Sequence, residues 1–360
     1  MAHRNAWIDG LRGVCIFSVL CTHGLFQVPS AGPTANWFSS AVLDKGYFGV
    51  AMFFVISGFL ITGNALRRYG EPARIDFGQF YAMRVARILP CLLLFIAIMV
   101  PLGYAGLPSF TPPSKELLWG SVYAALTFHY NSYYFVANAP GLTHWAPLWS
   151  LSIEEIFYLT FPLVCFLTRR RTVLLTVLAG LIIGGPFERE GFAGIFSFWG
   201  AADLLAMGCL AALALDHCRA QLSAFSWPLR AAGGAIILYI FVHFQVRQNF
   251  TLAPTGLGLG TALFLIGAAS AKPVHRPNRV GWPITALGRV SYEIYVFHVA
   301  LILALMPAGL SLLRTLGAPE GLAHLTTSVI MLALLYSFGA ALSRFVTEPL
   351  NAGIRRFYAR

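Results

Sequence analysis

Asp9, Arg12 and His23 stand in the otherwise apolar stretch IDGLRGVCIFSVLCTHGLF, residues 8–26. Ionisable groups are costly in such a run, and inside a membrane they are functional candidates by default. On a helix, the eleven residues from Arg12 to His23 cover three turns, about 16 Å, and return to within about 20° of the same face. Asp9 precedes Arg12 by three residues, close enough for an ion pair. The stripe thus leads from a charged pair to an imidazole, the side chain best suited to moving a proton near neutral pH. An interfacial arginine anchor with a helix-bridging histidine would use the same residues.

A carboxylate stands at a matching depth. HWAPLWSLSIEEIFYLTFPL, residues 144–163, carries Glu154 and Glu155 about six residues inside a second apolar segment that enters from the opposite side. Counted from the inner end of its own segment, His23 lies about 24 Å up a core of ~30 Å, and Glu154 lies about 9 Å below the outer surface. A carboxylate level with an imidazole suits general base catalysis, or an ion pair joining two helices. In GRVSYEIYVFHVALI, residues 288–302, Ser291, Tyr295 and His298 follow i, i+4, i+7 spacing and share a face. Interhelical hydrogen bonding explains that face as well as catalysis does. In FGQFYAMRVARILP, residues 77–90, Arg84 and Arg87 stand one turn apart. Paired guanidinium groups hold phosphate through bidentate hydrogen bonds, and Arg12 is expected at the same membrane level. Plain topology signalling accounts for the pair equally well.

The elements that must position these groups are membrane helices. The 360 residues are 58% hydrophobic and 11% charged, with a mean hydropathy of +0.70, whereas soluble proteins carry about a quarter charged residues. The expected fold is all-α, a polytopic membrane helix bundle forming one embedded domain over residues 1–360. Apolar runs near 8–27, 47–66, 86–105, 149–168, 194–214, 285–306 and 325–346, with weaker ones at 172–186, 229–245 and 256–271, give about ten spans. The aromatic segment 117–135 suits an interface better than a crossing. With that segment kept out of the count, both termini are cytoplasmic. Lys45, Lys115, Arg189, Arg247 and Arg314 then face outward, and the other 20 of 25 basic residues face inward. The net charge of +11 therefore reads as topology, and no nucleic-acid partner is expected. The six cysteines show no metal or disulfide spacing. No metal and no permanently bound cofactor are expected. Asp9, Arg12 and His23 also break what would be the h-region of a cleavable signal peptide.

Taken in order, Arg12 with His23, FFVISGFLIT (53–62), Arg84 with Arg87, LWSLSIEEIFYL (148–159) and VSYEIYVFH (290–298) resemble the acyltransferase-3 family of integral membrane O-acyltransferases. DLLAMGCLAAL (203–213) and FVTEPL (345–350) extend the likeness over nearly the whole chain. The resemblance implies cytoplasmic acyl-CoA, with acetyl-CoA as the expected co-substrate, and a hydroxyl acceptor on a carbohydrate or glycolipid facing outward. His23 and Glu154 would then be catalytic, and Arg12, Arg84 and Arg87 would bind the acyl donor. Direct transfer with His23 as base and a covalent acyl-histidine both fit. Asp9, Ser57, Trp149, Ser152, Glu155, Tyr158, Ser291, Tyr295 and His298 are supporting residues, with Ser57 and Gly58 suited to close helix packing. Trp145, in the loop 136–147, is a candidate platform for the acceptor sugar. Ala51 and Met52 stand where family members often have an acidic residue, which removes a carboxylate role there. The chain stops at Arg360 without the esterase-like domain that many relatives append, so the stand-alone form is expected, alone or with a separate periplasmic partner. The expected location is the bacterial cytoplasmic (inner) membrane. A polytopic secondary transporter with a buried Arg-His-Glu pathway is the rival, although no internal repeat supports it.

Overall fold

The computed structural model describes residues 5–27, 43–138, 141–246, 249–271 and 281–357. Arg4, Arg247, Lys272, Arg276, Arg279 and Arg360 of the charge count lie outside the described residues, as do residues 139–140 of the 136–147 loop and the side chains of Arg355 and Arg356.

In chain order the principal helices are α1 (Ala6–Thr22), α2 (Gly46–Tyr69), α3 (Phe77–Tyr104), α4 (Lys115–Leu126), α5 (Tyr130–Ala137), α6 (Leu148–Thr168) and α7 (Arg171–Gly184). They continue as α8 (Phe198–Ala224), α9 (Ser226–His243), α10 (Leu252–Ser270), α11 (Trp282–Arg289), α12 (Ser291–Thr315), α13 (Glu320–Leu342) and α14 (Glu348–Phe357). No strand occurs among the described residues. The protein is a polytopic helical membrane protein. Among the described residues, eight helical stretches are long and apolar enough to cross a bilayer. The 17-residue α1 and the 18-residue α9 occupy the other two segments of the ten expected.

Three expected boundaries change. The 285–306 run is broken at Val290, between α11 and α12. Gly288, at the end of α11, lies so close to the Asp9 carbonyl that a Cβ has no room. In the 194–214 run the long helix starts only at Phe198, where Ser197 caps the N-terminus by accepting from the Trp199 amide at 3.2 Å. The 117–135 segment forms α4 and α5, of 12 and 8 residues. At 1.5 Å per residue these reach about 18 and about 12 Å, short of a ~30 Å core.

The chain divides into two compact units. The first comprises Met1–Val19, Trp37–Asp76 and Leu159–Arg289. Its principal packing is α2 on α8. Gly58 meets the Leu205 carbonyl there and Gly208 meets the Val55 carbonyl, so the two backbones touch where any larger residue would hold them apart. A fully buried ion pair joins Arg189 to Asp203, with Nη1–Oδ1 at 2.5 Å and Nη2–Oδ2 at 2.9 Å. Arg189 also donates to the carbonyls of Gly200, Phe250 and Thr251. The charge is therefore buried with its hydrogen bonds made, as such a group requires.

The second unit comprises Leu20–Asn36, Phe77–Tyr158 and Val290–Arg360. α12 packs on α13, on α3 and on the 3-10 turn Thr143–Trp145. An aromatic column, Trp145–Phe95–Phe297–Phe338, ties these elements together with centroid spacings of 5.3, 5.4 and 5.0 Å. The chemistry-bearing side chains of the sequence analysis are concentrated in this unit.

Candidate active site

In α6, Ser150, Glu154 and Tyr158 recur every four residues and so share a helix face. The Tyr158 hydroxyl donates to Glu154 Oε2 at 2.9 Å. The Tyr158 ring lies 5.7 Å from the Arg84 guanidinium carbon, which is also 5.8 Å from the Phe80 ring. One aromatic residue therefore joins the candidate catalytic carboxylate to a candidate donor-binding arginine. The charges of Arg84 and Arg87 also act on Glu155. Glu155 is buried, and its Oε1 makes no hydrogen bond.

α12 supplies the opposing groups. Ser291 and His298 are buried with relative exposures of 1% and 0%. Tyr295 shares a 2.5 Å hydroxyl–hydroxyl hydrogen bond with Ser150. His298 Nδ1 lies 2.7 Å from the Tyr295 carbonyl oxygen, and His298 Nε2 lies 3.3 Å from His23 Nδ1. The two imidazoles meet edge to face, with centroids 4.7 Å apart and planes at 78°.

His23 follows the last residue of α1, in a turn closed by its own amide donating to the Leu20 carbonyl at 3.2 Å. The turn is anchored on α13 by the Phe26 amide donating to Ser328 Oγ at 2.8 Å. Its imidazole is exposed, whereas that of His298 is sealed. An exposed base backed by a buried partner has the form of a proton-transfer site.

Other expected residues take different places. Ser152 accepts from the Tyr130 amide at 3.1 Å and donates to the Leu148 carbonyl at 3.0 Å, fastening the start of α5 to α6. Trp149 is buried beside it in the chain. Trp145 corrects an expectation. It has no exposed surface and its ring is packed near Phe95 and Tyr130, so it offers no open face to a sugar. Asp9 makes a contact that the spacing does not show: it pairs with Arg289 at 3.5 Å, across the α1–α11 contact. Arg12, half-buried in α1, and Ser57, half-buried in α2 next to the close approach at Gly58, belong to the first unit.

Sequence reasoning misses Ser150, although its four-residue offset from Glu154 and Tyr158 is visible in the chain. It also misses Tyr292, whose hydroxyl donates to the Ile88 carbonyl at 3.0 Å. Among the described residues, no group of three His, Cys, Asp or Glu side chains could hold a metal ion. The residues brought together offer instead a base, a carboxylate and a pair of guanidinium groups.

Comparison with known proteins bears on what such a set is for. The family profile described as "Acyltransferase domain" matches residues 5–346. The "Putative peptidoglycan O-acetyltransferase YrhL" of Bacillus subtilis (strain 168) is 27% identical over 98% of this chain and 56% of its own length. The "O-acetyltransferase OatA" of Staphylococcus aureus (strain NCTC 8325 / PS 47) is 32% identical over 82% of this chain and 50% of its own. The chain spans about half the length of these two relatives. No solved structure matches it significantly.

Proposed function

The chain belongs to the acyltransferase domain family, and from that premise we propose that it is a membrane O-acetyltransferase acting between acetyl-CoA on the cytoplasmic side and a carbohydrate or glycolipid hydroxyl on the other. The rival transporter reading of the same groups loses its ground, because the family is one of acyltransferases. The names of the relatives support acetyl as the acyl group, and that of YrhL makes a peptidoglycan sugar the first acceptor to try.

In this reading Arg84 and Arg87 hold the phosphates of the donor. His23 removes the proton from the acceptor hydroxyl as its oxygen attacks the thioester carbonyl. Glu154 stabilises the resulting imidazolium. The carbon–sulfur bond then breaks, and the departing CoA thiolate recovers the proton as a thiol. Attack by His23 itself would pass through an acyl-imidazole. Labelled acetyl-CoA given without acceptor separates the two routes, since only the second leaves label on the protein.

One observation carries the proposal: an exposed imidazole hydrogen-bonded to a buried partner, in the unit that also holds the Glu154–Tyr158–Arg84 chain. The test is thiol release from acetyl-CoA by purified wild type and His23→Ala with a panel of acceptor sugars, folding being checked by size exclusion. Release by wild type, lost in a folded variant, is expected. Equal release by both would remove His23 from the chemistry.

A further inference from the structure

The hydrogen bonds of His298 decide more than the position of its own ring. Its Nδ1 lies 2.7 Å from the Tyr295 carbonyl oxygen. A carbonyl oxygen only accepts, so Nδ1 must carry hydrogen. A neutral imidazole has one donor and one acceptor nitrogen, and Nε2 of His298 is then the acceptor. The atom 3.3 Å from that Nε2 is His23 Nδ1, which must therefore donate. A neutral His23 with its hydrogen on Nδ1 keeps its lone pair on Nε2.

We propose that His298 is a positioning residue that holds His23 in the Nδ1–H tautomer, making His23 Nε2 the atom that receives the acceptor proton. The order of donors is set by the helix. The Tyr295 carbonyl belongs to the backbone of α12, three residues before His298, and cannot reverse its role. The His298 ring has no exposed surface, so water does not compete for its Nε2. Tyr295 is pinned in turn by its hydroxyl contact with Ser150. The device resembles any base oriented by a third group, except that a second imidazole stands where a carboxylate is usual and brings no charge of its own.

The role in catalysis rests on the proposed acyl transfer, but the tautomer is a property of the resting protein and is read without turnover. The experiment is nitrogen-15 NMR of the full chain, histidine-labelled and held in lipid nanodiscs at about pH 8, where an unperturbed imidazole is neutral. His23→Gln identifies the His23 signals by difference. Wild type should show His23 protonated at Nδ1 and bare at Nε2. His298→Leu should lose that preference. His298→Gln, whose amide oxygen accepts from the same direction, should keep it. In thiol-release assays, His298→Leu should lose kcat by a large factor, up to the ~10⁴-fold scale of a wrong tautomer, while the KM for acetyl-CoA stays in place. His298→Gln should recover most of that loss. A wild-type His23 protonated at Nε2, a His298 protonated on both nitrogens, or equal losses in the leucine and glutamine variants would overturn the proposal. The expected tautomer in a protein that transfers no acyl group would instead sink the proposed function and leave the tautomer control standing.

Discussion

Tyr158 gives its hydroxyl to Glu154 and its ring face to Arg84, and the two roles can be separated by substitution. Tyr158→Phe keeps the ring and removes the donor. A hydrogen bond to a charged group contributes about 1.5–3 kcal/mol, so kcat should fall by about tenfold to a hundredfold with little change in the KM for acetyl-CoA. Tyr158→Leu also removes the cation–π contact, so the KM for the donor should rise as well. If Phe and Leu variants shift the same kinetic constant, the two roles are not distinct. At this scale much of the site is legible in the sequence, because an ionisable residue in an apolar run announces itself. His23, Glu154, the arginine pair and the face of Ser291, Tyr295 and His298 all stand out in that way. What a one-dimensional pattern cannot show is pairing across helices. Asp9 pairs with Arg289, because α11 brings a guanidinium against α1 at a point no periodicity encodes. Trp145 departs from expectation for a similar reason: a loop tryptophan looks exposed until Phe95 and Tyr130 close over it.

Helices are positioned by what they lack as much as by what they carry. Between α2 and α8, Gly58 and Gly208 each admit the partner backbone, and an added Cβ would meet a carbonyl oxygen that cannot move aside. Gly58→Ala should therefore force the pair apart, at the roughly 1–3 kcal/mol typical of overpacking. Gly63→Ala is the matched control in the same helix, since its nearest obstacle is the flexible end of Arg67 at 3.5 Å. There the better helix propensity of alanine, worth about 1 kcal/mol, acts unopposed. In detergent, the Tm of Gly58→Ala should drop by several degrees while that of Gly63→Ala holds or rises. A shared drop would mean that α2 needs its glycines for some other reason. Hydropathy locates the long helices well, because a run of apolar residues must be buried whatever it packs against. It misses the break at Val290 and the late start of α8, where non-helical φ/ψ and a serine cap end apolar runs that hydropathy alone would continue.

For the whole molecule the open question is which side each loop faces, and the charges bear on it directly. Four of the five basic residues assigned to the outside are described, and each is engaged within the protein. Lys45 is buried and bonded to the Phe244 carbonyl and Gln245. Arg189 is held by Asp203, and Arg314 is paired with Glu320 at 2.5 Å. Lys115 lies 5.6 Å over the Tyr104 ring. Charges with internal partners weigh little against the rule that unengaged lysine and arginine stay in the cytoplasm, so the exceptions do not weaken the ten-span topology. That topology requires α4 and α5 to stay on the outer side and the run Arg169–Arg170–Arg171 to lie inside. Single cysteines test it well, because five of the six native cysteines are buried and Cys218 can be replaced by serine. In intact spheroplasts, Lys115→Cys should react with a membrane-impermeant thiol reagent. Arg170→Cys, exposed at the far end of α6, should react only after the membrane is opened. If both react from outside, an odd number of crossings separates α3 from α6. The orientation of α6 and every later helix would then reverse, and Glu154 would no longer lie at the depth of His23.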